Sequence, residues 1–147
     1  MGLFSAHEAF RARQRTLELE GLGPLSLRMA YTDSGSGEPV VLLHGIPTWS
    51  FLYADVIPLL EPDCRVLAPD FLGHGWSDRR DRFDRSLTAP TAAILAFLDA
   101  LGIEHATFVG HDTGGGVELT SAWSTPTEWP GSVSRTSSPT TRGRSTT

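Results

Sequence analysis

Apolar and polar residues alternate along the first part of the chain, in "RTLELE" (15–20) and again in "LSLRMAYTD" (25–33). An alternation with a period of two is typical of a strand that buries one face. The two stretches are separated by "GLGP", whose glycines and proline favour a turn. The pattern therefore predicts an antiparallel hairpin at the edge of a sheet.

Three later stretches are short and continuously apolar: "VVLL" (40–43), "CRVLAPD" (64–70) and "ATFVG" (106–110). Runs of this kind are typical of strands that are covered on both faces. With the hairpin they make five strands. We expect the last three to be parallel neighbours in one sheet.

The segments between these strands have helical spacing. The stretch "TWSFLYADVIPLL" predicts one helix whose apolar side is formed by Trp49, Leu52, Tyr53, Val56, Leu59 and Leu60. The stretch "SLTAPTAAILAFLDALGI" predicts a second helix that ends before Gly102, with apolar positions at Leu87, Ile94, Leu95, Leu98 and Leu101. Strands that alternate with helices predict an α/β fold with a parallel, doubly covered sheet.

The apolar pattern ends near residue 119. From Thr120 onward Ser and Thr dominate, and the sizeable apolar residues are Trp123, Trp129 and Val133. We therefore predict two regions, an α/β domain over 1–119 and a tail over 120–147. The tail is either a disordered segment or the product of a shifted reading frame. In a frame that starts one base earlier, every TCN serine codon becomes NTC, which encodes Phe, Leu, Ile or Val.

Composition narrows the class of protein. The chain has 147 residues, enough for one domain, and a net charge of −5 in which all twelve cations are arginines. This balance argues against a nucleic-acid partner, and the mixed-sign run "SDRRDRFDR" (77–85) is expected to be a solvated loop. The single Cys64 has no partner for an internal disulfide and is expected to be a buried core residue.

No segment predicts a membrane protein or a metalloprotein. The N-terminus lacks the apolar core of a signal peptide, and no run approaches the roughly 18 apolar residues of a membrane span. The histidines do not have zinc-ligand spacing. We expect a cytoplasmic protein that acts on a small molecule without a cofactor; the oligomeric state stays open.

The motif "GHDTGG" (110–115) follows the last predicted strand and precedes a helical pattern. Its spacing is that of a nucleophile elbow, G-x-Nu-x-G, in which a sharp strand-to-helix turn presents the central side chain. Here the central residue is Asp112. A carboxylate is ionised at neutral pH without a base and is suited to attack an sp³ carbon. The alternative is that Asp112 only caps the helix.

Together with "HGIPTWSFLYADVIPLL" and "APDFLGHGWSD", this motif resembles the N-terminal half of an α/β-hydrolase in the haloalkane dehalogenase and epoxide hydrolase branch. The resemblance covers about residues 15–119. It implies that Asp112 is the nucleophile and that the backbone N–H groups of Ile46 and Thr113 form the oxyanion hole. Elbow and pocket-loop positions are then His44, Gly45, Pro47, Gly110, His111 and Gly114. We expect His111 to pack and hydrogen-bond beside the nucleophile.

Two positions depart from that family. Dehalogenases have Trp after the nucleophile as a halide ligand and often Asn as a second one, whereas this chain has Thr113 and Ile46. The acid and histidine that follow the nucleophile in this fold are also missing, since the last histidine is His111. We therefore expect no turnover, or a single turnover that stops at an ester. An epoxide hydrolase, an ester hydrolase and a non-catalytic or partner-assembled binding protein stay open as alternatives.

Overall fold

The computed structural model describes residues 3–22, 26–79 and 88–117. It contains α1 (Leu3–Arg13), β1 (Arg15–Leu19), β2 (Leu27–Ser34) and β3 (Pro39–Leu43). A 3₁₀ helix (Ser50–Tyr53), α2 (Ile57–Leu60), β4 (Arg65–Pro69), α3 (Thr88–Ala100) and β5 (Thr107–Gly110) follow. The predicted tail over 120–147, most of the 77–85 loop and Leu87 lie outside the described residues, so the boundary at 119 stays a prediction.

The five strands form one sheet in the order β1-β2-β4-β3-β5. β2 pairs antiparallel with both β1 and β4. β3 runs parallel to β4 on one side and to β5 on the other. The predicted α/β fold with an N-terminal hairpin at the sheet edge and a parallel remainder is confirmed. The carboxyl ends of β3, β4 and β5 therefore lie at the same edge of the sheet.

Apolar residues of the central strands fill two cores, one on each face of the sheet. In β3, Val41 and Leu43 belong to the core beneath α3, whereas Leu42 belongs to the core beneath α1 and α2. Successive side chains of a strand point to opposite faces, so a continuous apolar run is required where both faces are covered. This double covering explains why "VVLL" has no polar position.

The predicted helix over residues 48–60 is wrong in its continuity and in its buried face. The structure divides it into the 3₁₀ helix and the short α2, which has a proline, Pro58, in its first turn. A proline lacks the N–H that would continue the ladder from the preceding turn, so the helix restarts there with a new phase. As a result Ile57 is buried, while Leu59, expected inside, is 76% exposed.

Two further features differ from the sequence-based expectations. α1 was not predicted, because its sequence has no clear apolar stripe; it is held by Phe10, whose ring meets those of Trp49 and Phe51 edge-on. Cys64 is half-buried rather than buried, and its thiol lies 3.1 Å from the carbonyl oxygen of Leu60. No helix among the described residues is long and apolar enough to cross a bilayer.

Candidate functional site

Asp112 lies at a sharp bend between β5 and a helical segment over residues 113–117. Its φ is 54°, and it is the only described residue other than glycine with a positive φ. The left-handed region costs a non-glycine residue about 1 kcal/mol or more, so the surrounding structure must impose this conformation. The bend leaves the Asp112 side chain exposed at the carboxyl edge of the sheet.

Gly114 is required because the bend packs directly against the end of β3. A Cβ at position 114 would lie 2.1 Å from the carbonyl oxygen of Leu43 and 2.6 Å from its carbonyl carbon. Real Cβ atoms do not approach backbone atoms this closely. The backbone of His111 adds a second tie to the same strand end, since its N–H donates to the Leu43 carbonyl at 3.0 Å.

Gly45, in the loop after β3, leaves room for the Asp112 carboxylate because it has no side chain. A Cβ at position 45 would lie 2.7 Å from Cβ of Asp112 and 2.9 Å from its Oδ2. The loop after β3 can therefore approach Asp112 with its main chain. The following residues, Ile46 and Pro47, are exposed, and the peptide bond between them is cis.

The two predicted oxyanion donors both reach the Asp112 carboxylate. The N–H of Ile46 donates to Oδ2 at 3.1 Å. The hydroxyl of Thr113 also lies within hydrogen-bonding distance of Oδ2, at 3.3 Å. Hydrogen bonds from the Ile46 and Thr113 backbones lower the pKa of Asp112 below its ordinary value, so the carboxylate is charged at neutral pH.

The Asp112 side chain is not used as a helix cap. A capping carboxylate would accept the N–H of Gly114 or Gly115, the second or third residue of the helical segment. Those two N–H groups donate instead to main-chain carbonyls, that of His111 and that of Asp112 itself. A capping role therefore does not explain why an aspartate occupies position 112.

His44, predicted as a pocket-loop residue, is fully buried and joins two loops. Its Nδ1 lies 2.9 Å from the carbonyl oxygen of Gly45, and its Nε2 accepts the N–H of Phe71 at 2.9 Å. The ring is therefore neutral, with the proton on Nδ1. Burial lowers the pKa of His44, which maintains that neutral form. This histidine fixes the loop after β3 against the loop after β4.

We expect the buried His44 to make stability depend on pH. In the unfolded chain its imidazole binds a proton below its ordinary pKa of 6.5, whereas the lowered pKa of the folded state resists protonation. The free energy of unfolding should be constant above that pH and should fall below it, by up to about 1.4 kcal/mol for each pH unit. Urea titrations between pH 5 and 8 measure this fall.

A histidine variant on another element provides the control for this measurement. His44→Gln should remove most of the fall below pH 6.5, although it lowers stability at every pH. His105→Gln, at an exposed position before β5, should retain the pH dependence of the wild type. If the free energy of unfolding fell equally steeply below pH 6.5 in His44→Gln and in the wild type, the proposed role of a neutral His44 would be wrong.

Asp70, at the end of β4, connects three elements around the site. Its carboxylate accepts the N–H groups of Ser50 and Trp76, each at 2.9 Å, and the side-chain amide of Gln14 at 3.1 Å. The carboxylate is fully buried and fixes the start of the 3₁₀ helix and the loop after β4 in place. Ser50 and Asp70 lie in the quoted motifs but were assigned no role there, and Gln14 lies in no motif.

His111 differs from its predicted role. Its side chain is exposed rather than packed, although its charge contributes to lowering the pKa of the neighbouring Asp112. Gly110, the last residue of β5, is buried, whereas His111 and Asp112 in the bend are both exposed. Among the described residues, no group of three His, Cys, Asp or Glu side chains has the geometry of a metal site.

Comparisons with known proteins agree with this fold. A family model described as the alpha/beta hydrolase fold matches residues 38–125. Haloalkane dehalogenase 2 of Mycobacterium tuberculosis (strain ATCC 25618 / H37Rv) is 41% identical over 92 residues, which is 63% of this chain and 32% of that protein. The chain thus spans about a third of the length of this relative.

Two more relatives extend the range of chemistry in this group. A cis-3-alkyl-4-alkyloxetan-2-one decarboxylase of Shewanella oneidensis is 38% identical over 91 residues, 60% of this chain and 29% of that one. The solved structure of the epoxide hydrolase CorEH aligns with a TM-score of 0.68 at 31% identity, covering 75% of this chain and 37% of that chain. These matches confirm the resemblance to the haloalkane dehalogenase and epoxide hydrolase branch.

Proposed function

Because this chain belongs to the alpha/beta hydrolase fold family, we propose that Asp112 is its nucleophile and forms an ester with the carbon of a small apolar electrophile. The observation that carries this proposal is the strained bend at Asp112, with a φ of 54° and an exposed carboxylate. A fold retains such strain at few places, and these are commonly functional sites. The Asp112 side chain does not cap the helical segment, so capping does not explain the strained conformation.

The attack by Asp112 on carbon needs no reactant other than the electrophile and water. One carboxylate oxygen forms a C–O bond with an sp³ carbon, and the bond from that carbon to its leaving group breaks. A halide departs with the electron pair, whereas an opened epoxide keeps its oxygen as an alkoxide that takes a proton from water. The N–H of Ile46 donates to Oδ2, which becomes the carbonyl oxygen of the ester, and the backbone of Thr113 also hydrogen-bonds the Asp112 carboxylate.

The substrate we propose first is a haloalkane, with an epoxide as the second candidate. The names of the Mycobacterium tuberculosis and CorEH relatives support these two classes. The Shewanella oneidensis relative supports a strained cyclic ester as a further electrophile. An ordinary ester ranks last, because attack of a carboxylate on an acyl carbon gives a labile anhydride.

We expect the polypeptide of 147 residues to accumulate the ester. Water that hydrolyses such an ester needs a general base, which in this fold is a histidine after the nucleophile. No histidine follows His111 within these 147 residues. A second chain that supplied this base would instead favour the partner-assembled alternative.

Intact-mass measurement after incubation with butyl bromide or propylene oxide tests the proposal. We expect at most one butyl group, or one intact epoxide, for each protein molecule, and bromide release equal to the butyl adduct. Unchanged mass with both probes would overturn the proposal. Bromide release that continues far beyond one equivalent would contradict the expected arrest at the ester while supporting the nucleophile.

A further inference from the structure

The hydroxyl of Thr113 contacts the carboxylate of Asp112. It is 3.3 Å from Oδ2 of Asp112, the same oxygen that accepts the Ile46 N–H at 3.1 Å. Thr113, the first residue of the helical segment, is half-buried, whereas Asp112 beside it is exposed. Two donors, one in the loop after β3 and one at the start of the helical segment, thus converge on one carboxylate oxygen.

We propose that the Thr113 hydroxyl is a side-chain donor of the oxyanion site, added to the backbone donors, and that it affects the two chemical steps in opposite directions. This inference rests on the proposed ester mechanism at Asp112. It assigns to Thr113 a catalytic contact with Oδ2, a reacting atom.

Charge on Oδ2 changes differently in the two steps. During attack on carbon the carboxylate loses negative charge, so a donor to Oδ2 stabilises the starting state more than the transition state. During ester hydrolysis a negative charge develops on the same oxygen, so the donor stabilises the transition state more. The hydroxyl should therefore leave ester formation unchanged or slow it, and should accelerate ester cleavage.

The leaving group should not alter these effects, because the hydroxyl contacts the carboxylate. A donor that served the departing atom would instead distinguish bromide from an epoxide oxygen, since the two accept hydrogen bonds with different strength. The inferred role thus predicts equal effects of a Thr113 substitution on ester formation from butyl bromide and from propylene oxide.

Thr113→Val and Thr113→Ser form a matched pair of variants. Valine preserves the branched shape of threonine and removes the hydroxyl, whereas serine preserves the hydroxyl. We expect Thr113→Val to form the ester at least as fast as the wild type with both electrophiles. Its isolated butyl ester should decay about tenfold more slowly at pH 9, where hydroxide replaces the enzymatic base. Thr113→Ser should behave like the wild type in both steps.

A titration of the Asp112 carboxyl carbon by ¹³C NMR gives a readout that is independent of reactivity. Loss of the hydroxyl donor should raise the pKa of Asp112 in Thr113→Val, and Thr113→Ser should restore the wild-type titration. Unchanged titration and unchanged ester decay in Thr113→Val would overturn the inference. Slower ester formation in that variant would also overturn it, because a merely structural role gives that result.

Failure of the proposed function has a different signature. If the wild type forms no ester with either electrophile, the nucleophile proposal fails and the catalytic role of Thr113 fails with it. If the wild type forms the ester and the Val variant is indistinguishable from it in all three measurements, only the inference about Thr113 fails.

Discussion

Gly114→Ala should lower the free energy of unfolding by about 3 kcal/mol or more, since it overpacks a rigid part of the fold. The added Cβ would lie 2.1 Å from the carbonyl oxygen of Leu43, an atom of the central strand β3. Relief requires that the bend moves away from β3, which would also displace Asp112 from the Ile46 N–H. We therefore expect a lower urea midpoint by far-UV circular dichroism and, in the residual folded protein, no adduct.

Gly115→Ala is the matched control for this change. A Cβ at position 115 would be 3.8 Å from the nearest backbone atom outside its own helical segment, which is ordinary contact. Alanine is favoured over glycine inside a helix by about 1 kcal/mol, so this variant should be as stable as the wild type or more so. If Gly114→Ala were as stable as Gly115→Ala, the close packing of the bend on β3 would be wrong.

Asp112→Asn should abolish formation of the covalent ester. An amide carries no negative charge, and loss of a nucleophile typically costs about 10⁴-fold or more in rate. The size and position of the side chain are nearly preserved, so the urea midpoint should change little. Intact-mass measurement after exposure to butyl bromide should therefore show unmodified protein at all times at which the wild type is labelled.

Asp99→Asn, an exposed position on α3, is the control and should be labelled like the wild type. The wild-type rate should also be constant from pH 8 down to pH 5. Hydrogen bonds from the Ile46 and Thr113 backbones hold the pKa of Asp112 below its ordinary value of 3.8, so the carboxylate is ionised throughout this range. A rate that rose with pH near neutrality would identify a thiol or an imidazole as the labelled group instead.

Much of the fold could be predicted from sequence because its strands carry unambiguous patterns. "RTLELE" alternates because β1 buries one face, and "VVLL" is continuously apolar because β3 is covered on both faces. The glycines around Asp112 were informative for the same physical reason: residues such as Gly114 contact backbone too closely for any side chain. These features depend on local geometry, which a short motif encodes.

Features that depend on distant contacts were not predictable. The break in the helix expected over residues 48–60 is the exception, because its cause, Pro58, is a local signal that changes which residues face the sheet. α1 is held by rings that are more than 35 positions away in the chain, Trp49 and Phe51, so its own pattern is weak. The contact of Gln14 with Asp70, 56 positions apart, has no local signature.

Locating the butyl group by fragmentation mass spectrometry of the labelled protein tests the central claim most directly. Several other nucleophiles compete for it, among them the half-buried Cys64 and the exposed His111. We predict that the butyl group is on the carboxylate of Asp112. A butyl group on Cys64, on His111 or on any other side chain would contradict it.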